Sequence, residues 1–394
     1  MAEPNYSRDN LIMQTIMLSG ANVIAADRNL PASSVLIADG RIASLDERSA
    51  VVQEIDVSGT TLFPGFIDLH NHGAGGWDVM ESSPSDLMAT STFLQSQGVT
   101  GWLPTLVPAS DEEYRRTAGV IEEVIDRQPN GITRVLGIHY EGPFVNLALC
   151  GALHKQFFKT YQHPTDLDCL CTPRRGVKMT TLAPEIEGGA RLVEVLCERG
   201  WVISIGHTRA DVTVLDSAFA AGAHHMTHFM NAMPQLHHRD PGPIGWGLSR
   251  DDVTCDIIAD GIHLDRYVLK LLLRIKGVCG VNLISDSIAA AGKGDGDFQI
   301  WGETISVKNG RTSNSHGSIA GSVITMLDAV KMMRSLGVSD VDIARMASSN
   351  PARLLGIDNE CGSIEEGKRA DLVAIDENGE VKLTMVGGEV AFRG

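Results

Sequence analysis

The sequence predicts an α/β protein: a (β/α)8 TIM-like barrel with a small β-sandwich domain built from both chain termini. Three observations carry this expectation. Between Pro64 and Gly356, short apolar runs alternate with amphipathic helical stretches, the pattern of a parallel sheet with crossover helices. Both ends of the chain instead read as short strands punctuated by turns. At 394 residues, 43% of them hydrophobic, the chain holds enough apolar material for one large core and a smaller one. The expected division is 1–63 and 357–394 for the two parts of the β-domain and 64–356 for the barrel.

At the N-terminal end, Thr15-Ile16-Met17-Leu18 and Ala21-Asn22-Val23-Ile24-Ala25 read as two short strands, followed by Ser34-Val35-Leu36-Ile37-Ala38. Asp39-Gly40 then closes a hairpin into Arg41-Ile42-Ala43-Ser44-Leu45, because this pair accepts the positive φ values of a two-residue turn. The C-terminal end is alike: Asp371-Leu372-Val373-Ala374-Ile375 and Val381 to Val386 are strand-like, with Glu377-Asn378-Gly379 between them. In the middle, eight runs are candidate barrel strands: 65–69, 101–106, 134–139, 178–183, 202–205, 224–229, 254–258 and 280–284. Amphipathic stretches at 111–127, 189–199 and 264–275 supply crossover helices.

The formal net charge is −16, so the chain lacks the basic footprint that nucleic acid or an anionic membrane surface requires. A small anionic ligand would need a local cationic pocket. The seven cysteines, Cys150, Cys169, Cys171, Cys197, Cys255, Cys279 and Cys361, form no paired CxxC units, which argues for reduced thiols rather than a zinc ribbon. Met1 to Asn10 is polar, and no window reaches the ~20 apolar residues that span a bilayer. A cytoplasmic protein is the expectation.

In such barrels the chemistry sits at the C-terminal strand ends. The first run ends in His70-Asn71-His72, and a period of two puts both imidazoles on one side of the strand. The third ends in His139-Tyr140-Glu141, the fifth in Gly206-His207-Thr208, the sixth passes through Thr227-His228-Phe229, and the eighth ends in Ser285-Asp286-Ser287. Singly, each has a bland reading: a strand-end histidine is often only hydrogen-bonded, and Asp286 could cap a helix. Jointly, five strand ends carry the nitrogen and carboxylate donors that a borderline divalent ion takes. Such an ion lowers the pKa of a bound water to roughly 7 and polarises a carbonyl. Asp286 suits the accompanying proton transfers, from water and then to a departing amine.

These residues, in this order, resemble the amidohydrolase superfamily, and within it the N-acetylglucosamine-6-phosphate deacetylases. The likeness runs nearly end to end. It begins with Pro64-Gly65-Phe66-Ile67-Asp68-Leu69-His70-Asn71-His72-Gly73 and passes through Glu141-Gly142-Pro143-Phe144, Thr181-Leu182-Ala183-Pro184-Glu185 and Gly206-His207-Thr208. It continues with Thr227 to Met233, Asp260-Gly261-Ile262-His263 and Ala320-Gly321-Ser322, and closes on Gly362 to Val373. The resemblance implies that Glu141, His207 and His228 hold one metal and that Asp286 is the general acid/base. With His70 and His72 present it also implies room for a second ion, so one or two divalent ions per subunit, with zinc first and iron, manganese or cobalt also accepted. It implies a phosphorylated amino sugar as substrate, contacted by His154, Asn231, Ala232 and His263, with Ile319, Ala320 and Gly321 lining the acetyl pocket. Arg239 resembles a phosphate-binding arginine supplied by the neighbouring subunit of a homodimer. The superfamily's strand-four lysine has only Lys178 as a counterpart, and Lys178 begins its run instead of ending it.

One segment departs from the family pattern: Cys150-Gly151-Ala152-Leu153-His154 has one residue more before its histidine, and no lysine. This leaves the placement of His154 and the choice between gluco and galacto epimers open. N-acetylgalactosamine 6-phosphate is thus the first rival substrate. A cyclic-amide hydrolase and a non-catalytic binding barrel are the further alternatives.

Overall fold

A computed structural model describes residues 15–26, 28–45 and 53–394. The polar segment Met1 to Asn10 lies outside the described residues. No helix among them is long and apolar enough to cross a membrane.

All eight expected barrel strands form and pair in parallel. They are Phe66–Asn71, Val99–Leu106, Arg134–Val135 continuing as Gly137–Glu141, Val177–Leu182, Val202–Ile205, His225–Met226, Thr254–Ile258 and Val281–Ile284. The first, second and eighth are buried throughout, which is why they read as continuous apolar runs without alternation. Strands eight and one close the barrel through a bridge between Asn71 and Ser287, with the Asp286 amide donating to the His70 carbonyl at 2.9 Å. The fully buried Asp68 carboxylate staples this seam, accepting from Ser285 Oγ at 2.6 Å, the Ser285 amide at 3.1 Å and Asn71 Nδ2 at 3.0 Å. Strand six is shorter than expected, two residues in place of six, because His228 at φ +24° turns the chain out of the ladder.

The three expected helices are present as Asp111–Arg127, Gly189–Glu198 and Arg266–Lys276. The first begins at a capping box, Ser110 with Glu113, and buries Tyr114, Ala118, Ile121 and Val124 on one stripe. The last starts two residues after the expected point because Asp265 is its N-cap, accepting from the Tyr267 amide. Two departures from regular alternation matter for the site. After strand three, no α-helix crosses to strand four; three short 3₁₀ turns (Leu147–Leu149, Lys155–Phe157, Pro164–Leu167) lead over the strand ends instead. After strand eight, a three-stranded antiparallel sheet is inserted: Gly296–Ile300, Glu303–Lys308 and Arg311–Ser313.

Strands from both ends of the chain form one eight-stranded mixed sheet, so the expected sandwich is a single continuous sheet. Thr60–Pro64 lies at its centre, parallel to Thr15–Ala25 and antiparallel to Leu372–Asp376. The two strands expected at 15–18 and 21–25 are one, bent at a bulge where Gly20 takes φ +84° and lets the ladder continue. Its apolar face, including Leu18, Val35, Ile37, Leu62, Leu372 and Leu383, forms a core of its own. All seven cysteines are free thiols.

Candidate metal centre

The six expected donors meet at the C-terminal mouth of the barrel. His70 is the fifth residue of strand one, and Glu141 is the last of strand three. His207, His228 and Asp286 each stand two positions past the end of their strands. Each of these three takes a left-handed backbone, at φ +47°, +24° and +50°. Non-glycine residues rarely adopt this conformation, and it is held where a site demands a side-chain direction that an extended strand cannot give. Gly206, just before His207, is required by space: a Cβ there would lie 2.3 Å from Thr227 Cγ2 and 2.8 Å from Thr181 Cγ2.

Two donor groups result, His70 with His72 and Asp286, and Glu141 with His207 and His228. Within each, one ligand atom per residue lies within 4.8 Å of the others. Glu141 links them. Its Oε1 is 2.9 Å from His207 Nε2 and 3.0 Å from His228 Nε2, and its Oε2 is 3.3 Å from His72 Nε2. Asp286 Oδ1 is 3.2 Å from His72 Nε2 and 3.5 Å from His70 Nε2. Every one of the six side chains is buried.

The hydrogen bonds behind the imidazoles orient the rings. His207 Nδ1–H donates to the Leu149 carbonyl at 2.7 Å, and His72 Nδ1–H donates to the Thr105 carbonyl at 3.1 Å. Each bond fixes its ring's tautomer, so each Nε2 turns a lone pair inward. There the lone pairs meet carboxylate oxygens and one another, with His70 and His72 Nε2 3.1 Å apart and His207 and His228 Nε2 3.2 Å apart. Acceptors converging on acceptors in a buried site repel unless cations lie between them, and two divalent ions fit the donor types. Protons alone fill part of that role. Burial disfavours the His72 cation, yet its bonds to Asp286 and Glu141 push it up to about 10. Burial would raise the Glu141 carboxyl, but the His70 charge and the bonds from His207 and His228 hold it well below the usual range. Asp286 is likewise held low against its burial by His70 and His72. His139, one layer below, is kept neutral by burial and the neighbouring His70.

All of the six but His70, which is fully buried behind them, floor a cavity of about 140 Å³. Of the residues expected to contact substrate, Asn231, Ala232, His263, Ile319 and Gly321 line it. Ala320 lies just behind, fully buried in the core of the inserted sheet. His154 is outside the lining; Leu153 takes that place, and His154 instead stacks on Phe157 with its Nε2 4.0 Å from Glu303 Oε1. Arg239 is exposed in a loop, bonded through its side chain to His238, and is not in the lining of its own chain. Lys178 sits at the start of strand four, donating to the Arg199 carbonyl. Trp301, Gly151 and Ala152 also line the cavity and carry no local sequence signal. Asp260 does carry one: it stands three residues before His263 and holds its Nδ1 at 2.6 Å.

The comparisons agree with this architecture. Residues 61–391 match the family model described as Amidohydrolase family. The N-acetylglucosamine-6-phosphate deacetylase of Bacillus subtilis (strain 168) is 33% identical, over 96% of this chain and 98% of its own length. The N-acetylgalactosamine-6-phosphate deacetylase of Escherichia coli O157:H7 is 32% identical, over 96% of this chain and 99% of its own. Among solved structures, a mutant of the N-acetyl-D-glucosamine-6-phosphate deacetylase of Mycobacterium smegmatis, in complex with N-acetyl-D-glucosamine-6-phosphate, superposes with a TM-score of 0.87 at 27% identity, covering 96% of this chain and 99% of that one. With barrel, buried donor groups and full-length likeness in agreement, the chain belongs to the amidohydrolase family.

Proposed function

We propose that the protein hydrolyses the acetamide of N-acetylglucosamine 6-phosphate to glucosamine 6-phosphate and acetate. The observation that carries this reading is the pair of buried donor groups joined by Glu141 at the floor of the cavity, with Asp286 beside them. In this reading Glu141, His207 and His228 hold one ion, zinc first among the candidates, and His70 and His72 serve a second together with Asp286 and Glu141. A bound divalent ion supplies Lewis acidity, polarising the amide carbonyl and bringing the pKa of a water toward roughly 7. Asp286 accepts the water's proton as oxygen bonds to the carbonyl carbon. It then delivers the proton to nitrogen as the C–N bond breaks and acetate departs. His263 has its Nδ1 engaged by Asp260, so its Nε2 is the nitrogen available to the substrate. Asn231 and Ala232 contact the sugar phosphate, His154 reaches it from the rim, and Ile319, Ala320 and Gly321 bound the acetyl group.

The phosphate needs a partner that the cavity does not supply: no lysine or arginine is among its lining residues in the described chain. We assign that role to Arg239 of a neighbouring subunit in a homodimer. A guanidinium fork matches a phosphate bidentately, and Arg239 is exposed for such an encounter.

A second reading rests on one observation. The N-acetylgalactosamine-6-phosphate deacetylase of Escherichia coli O157:H7 matches this chain about as fully as the N-acetylglucosamine-6-phosphate deacetylase of Bacillus subtilis does, and Leu153 stands at the cavity wall where the family pattern diverges. The test is acetate release by metal-replete enzyme from both 6-phosphorylated epimers and from unphosphorylated N-acetylglucosamine. Turnover of the phosphorylated gluco sugar alone is expected. A galacto preference would move the substrate and keep the chemistry, and turnover of none of the three would overturn the sugar assignment.

A further inference from the structure

The inserted sheet at 296–313 brings a single large aromatic side chain to the metal centre. Its first two strands pair Ile300 with Glu303, leaving a two-residue turn of Trp301 and Gly302 at φ +53° and +74°. That turn favours Asn-Gly, and a tryptophan in left-handed backbone is a genuine outlier. The strain is held in place from three sides. An apolar cluster of Ile288, Ala290, Ile300, Ile305, Val307 and Ala320 roots the sheet on the segment just after Asp286, and Ala152 and Trp301 pack against it. Glu303 faces His154 across the mouth. The indole stands nearly perpendicular to the His72 ring, 5.2 Å between centroids, and lines the cavity beside Asp286, Leu153 and Ile319.

Two polar atoms support the same placement. Trp301 Nε1 is buried with no hydrogen-bond partner, and so is Oδ2 of the buried Asp78. Asp78 uses its other oxygen for the Met80 amide at 2.8 Å. Burial pushes the Asp78 carboxyl up to about 7, and the Trp301 indole is among the smaller influences that draw it down. This buried donor and this buried acceptor, each without a partner of its own, are the atoms through which Asp78 can orient the indole.

We propose that Trp301 sets the acyl-chain length the enzyme accepts, its indole closing the cavity beside His72 where the acyl group of the amide must lie, and that Asp78 is the positioning residue that orients it. The inference rests on the reading that the substrate is an N-acylated amino-sugar phosphate. The reacting carbonyl has to sit over the donors, so the acyl chain begins one bond beyond a carbon held there. In a cavity of about 140 Å³, the largest side chain at that point decides how much acyl chain fits beyond the first carbon.

The experiment compares kcat/KM for N-acetyl-, N-propionyl- and N-butyrylglucosamine 6-phosphate in the wild type, Trp301→Phe, Trp301→Ala and Asp78→Asn, all metal-replete and checked for fold by circular dichroism. The wild type should favour acetyl over butyryl by at least tenfold. Trp301→Ala should reduce that ratio at least tenfold, chiefly through KM for the longer chains, with Trp301→Phe between the two. Asp78→Asn should shift the ratio in the same direction by a smaller factor. Equal losses for all three substrates in Trp301→Ala and Trp301→Phe would overturn the proposal by reducing Trp301 to a structural support. A wild-type ratio in Asp78→Asn would overturn the role of Asp78. Wild-type inactivity on the acetyl substrate would instead overturn the deacetylase reading itself.

Discussion

Replacing Glu141 with glutamine keeps the side chain's volume and removes the one charge that both donor groups share. Its Oε1 bonds His207 and His228 at 2.9 and 3.0 Å, and its Oε2 faces His72 at 3.3 Å. These contacts bring Nε2 lone pairs and carboxylate oxygens together, so the loss falls on ion binding: replacing even the outer partners of metal ligands typically costs about 10–100-fold in metal affinity, and neutralising a donor should cost at least as much. The affinity for a divalent ion should therefore fall by at least about 10–100-fold. The assay is metal content by elemental analysis after dialysis against graded chelator, with circular dichroism to confirm the fold. Because Glu141 joins the groups, both ion positions should weaken together. His207→Asn, which removes a donor from one group only, should weaken one position more than the other. Unchanged affinity at both positions in Glu141→Gln would refute the bridging geometry.

Asp286→Asn should fold and keep the ion at Glu141, His207 and His228 while kcat drops about 10²–10⁴-fold; turnover near the wild-type rate would exclude the proton-transfer role. Arg239→Ala should raise KM for the phosphorylated sugar and leave KM for an unphosphorylated analogue in place, and an equal rise for both would remove the phosphate assignment. Without an ion, the His72 cation is stabilised up to about pH 10. Its contribution to the metal-free fold is thus complete below its ordinary 6.5 and lost as pH rises through about 10. Ion binding near neutral pH must therefore expel this proton, and apparent affinity should climb with pH by up to about tenfold per unit. Calorimetry in two buffers of different ionisation enthalpy checks it, and identical heats in both would contradict it. Gly206→Ala drives a methyl into Thr227 and Thr181, both fully buried, and should cost about 1–3 kcal/mol; an unchanged melting temperature would show that the two threonines can yield.

The barrel and the cluster of histidines and carboxylates at its mouth are legible in the sequence because each signal is local. Eight buried strands read as apolar runs, and the six clustered side chains all lie within two residues of a strand end, so locating the strands also locates the cluster. The linkage of Asp260 to His263 lies within three residues and is equally readable. The hidden features depend on long-range placement. The inserted sheet has short, largely exposed strands with weak alternation, so Trp301 reads like any turn residue until Ile300 pairs with Glu303. Leu153 and His154 are neighbours in an irregular loop, and only packing decides which of them faces the cavity. The carbonyls of Leu149 and Thr105, which set the tautomers of His207 and His72, are backbone groups and leave no trace in residue identity.

The central position of Thr60–Pro64 in the mixed sheet has a consequence for synthesis on the ribosome. One neighbour of this strand, Leu372–Asp376, begins 308 positions after Pro64, and the strand runs almost directly into the first barrel strand. At roughly 5–20 residues per second, its partner arrives about 15–60 s later. Throughout that interval the emerging chain carries an unsatisfied strand edge beside its first barrel strand. The nascent polypeptide therefore stays open to chaperones, and to mispairing with other nascent chains, until Leu372–Asp376 is made.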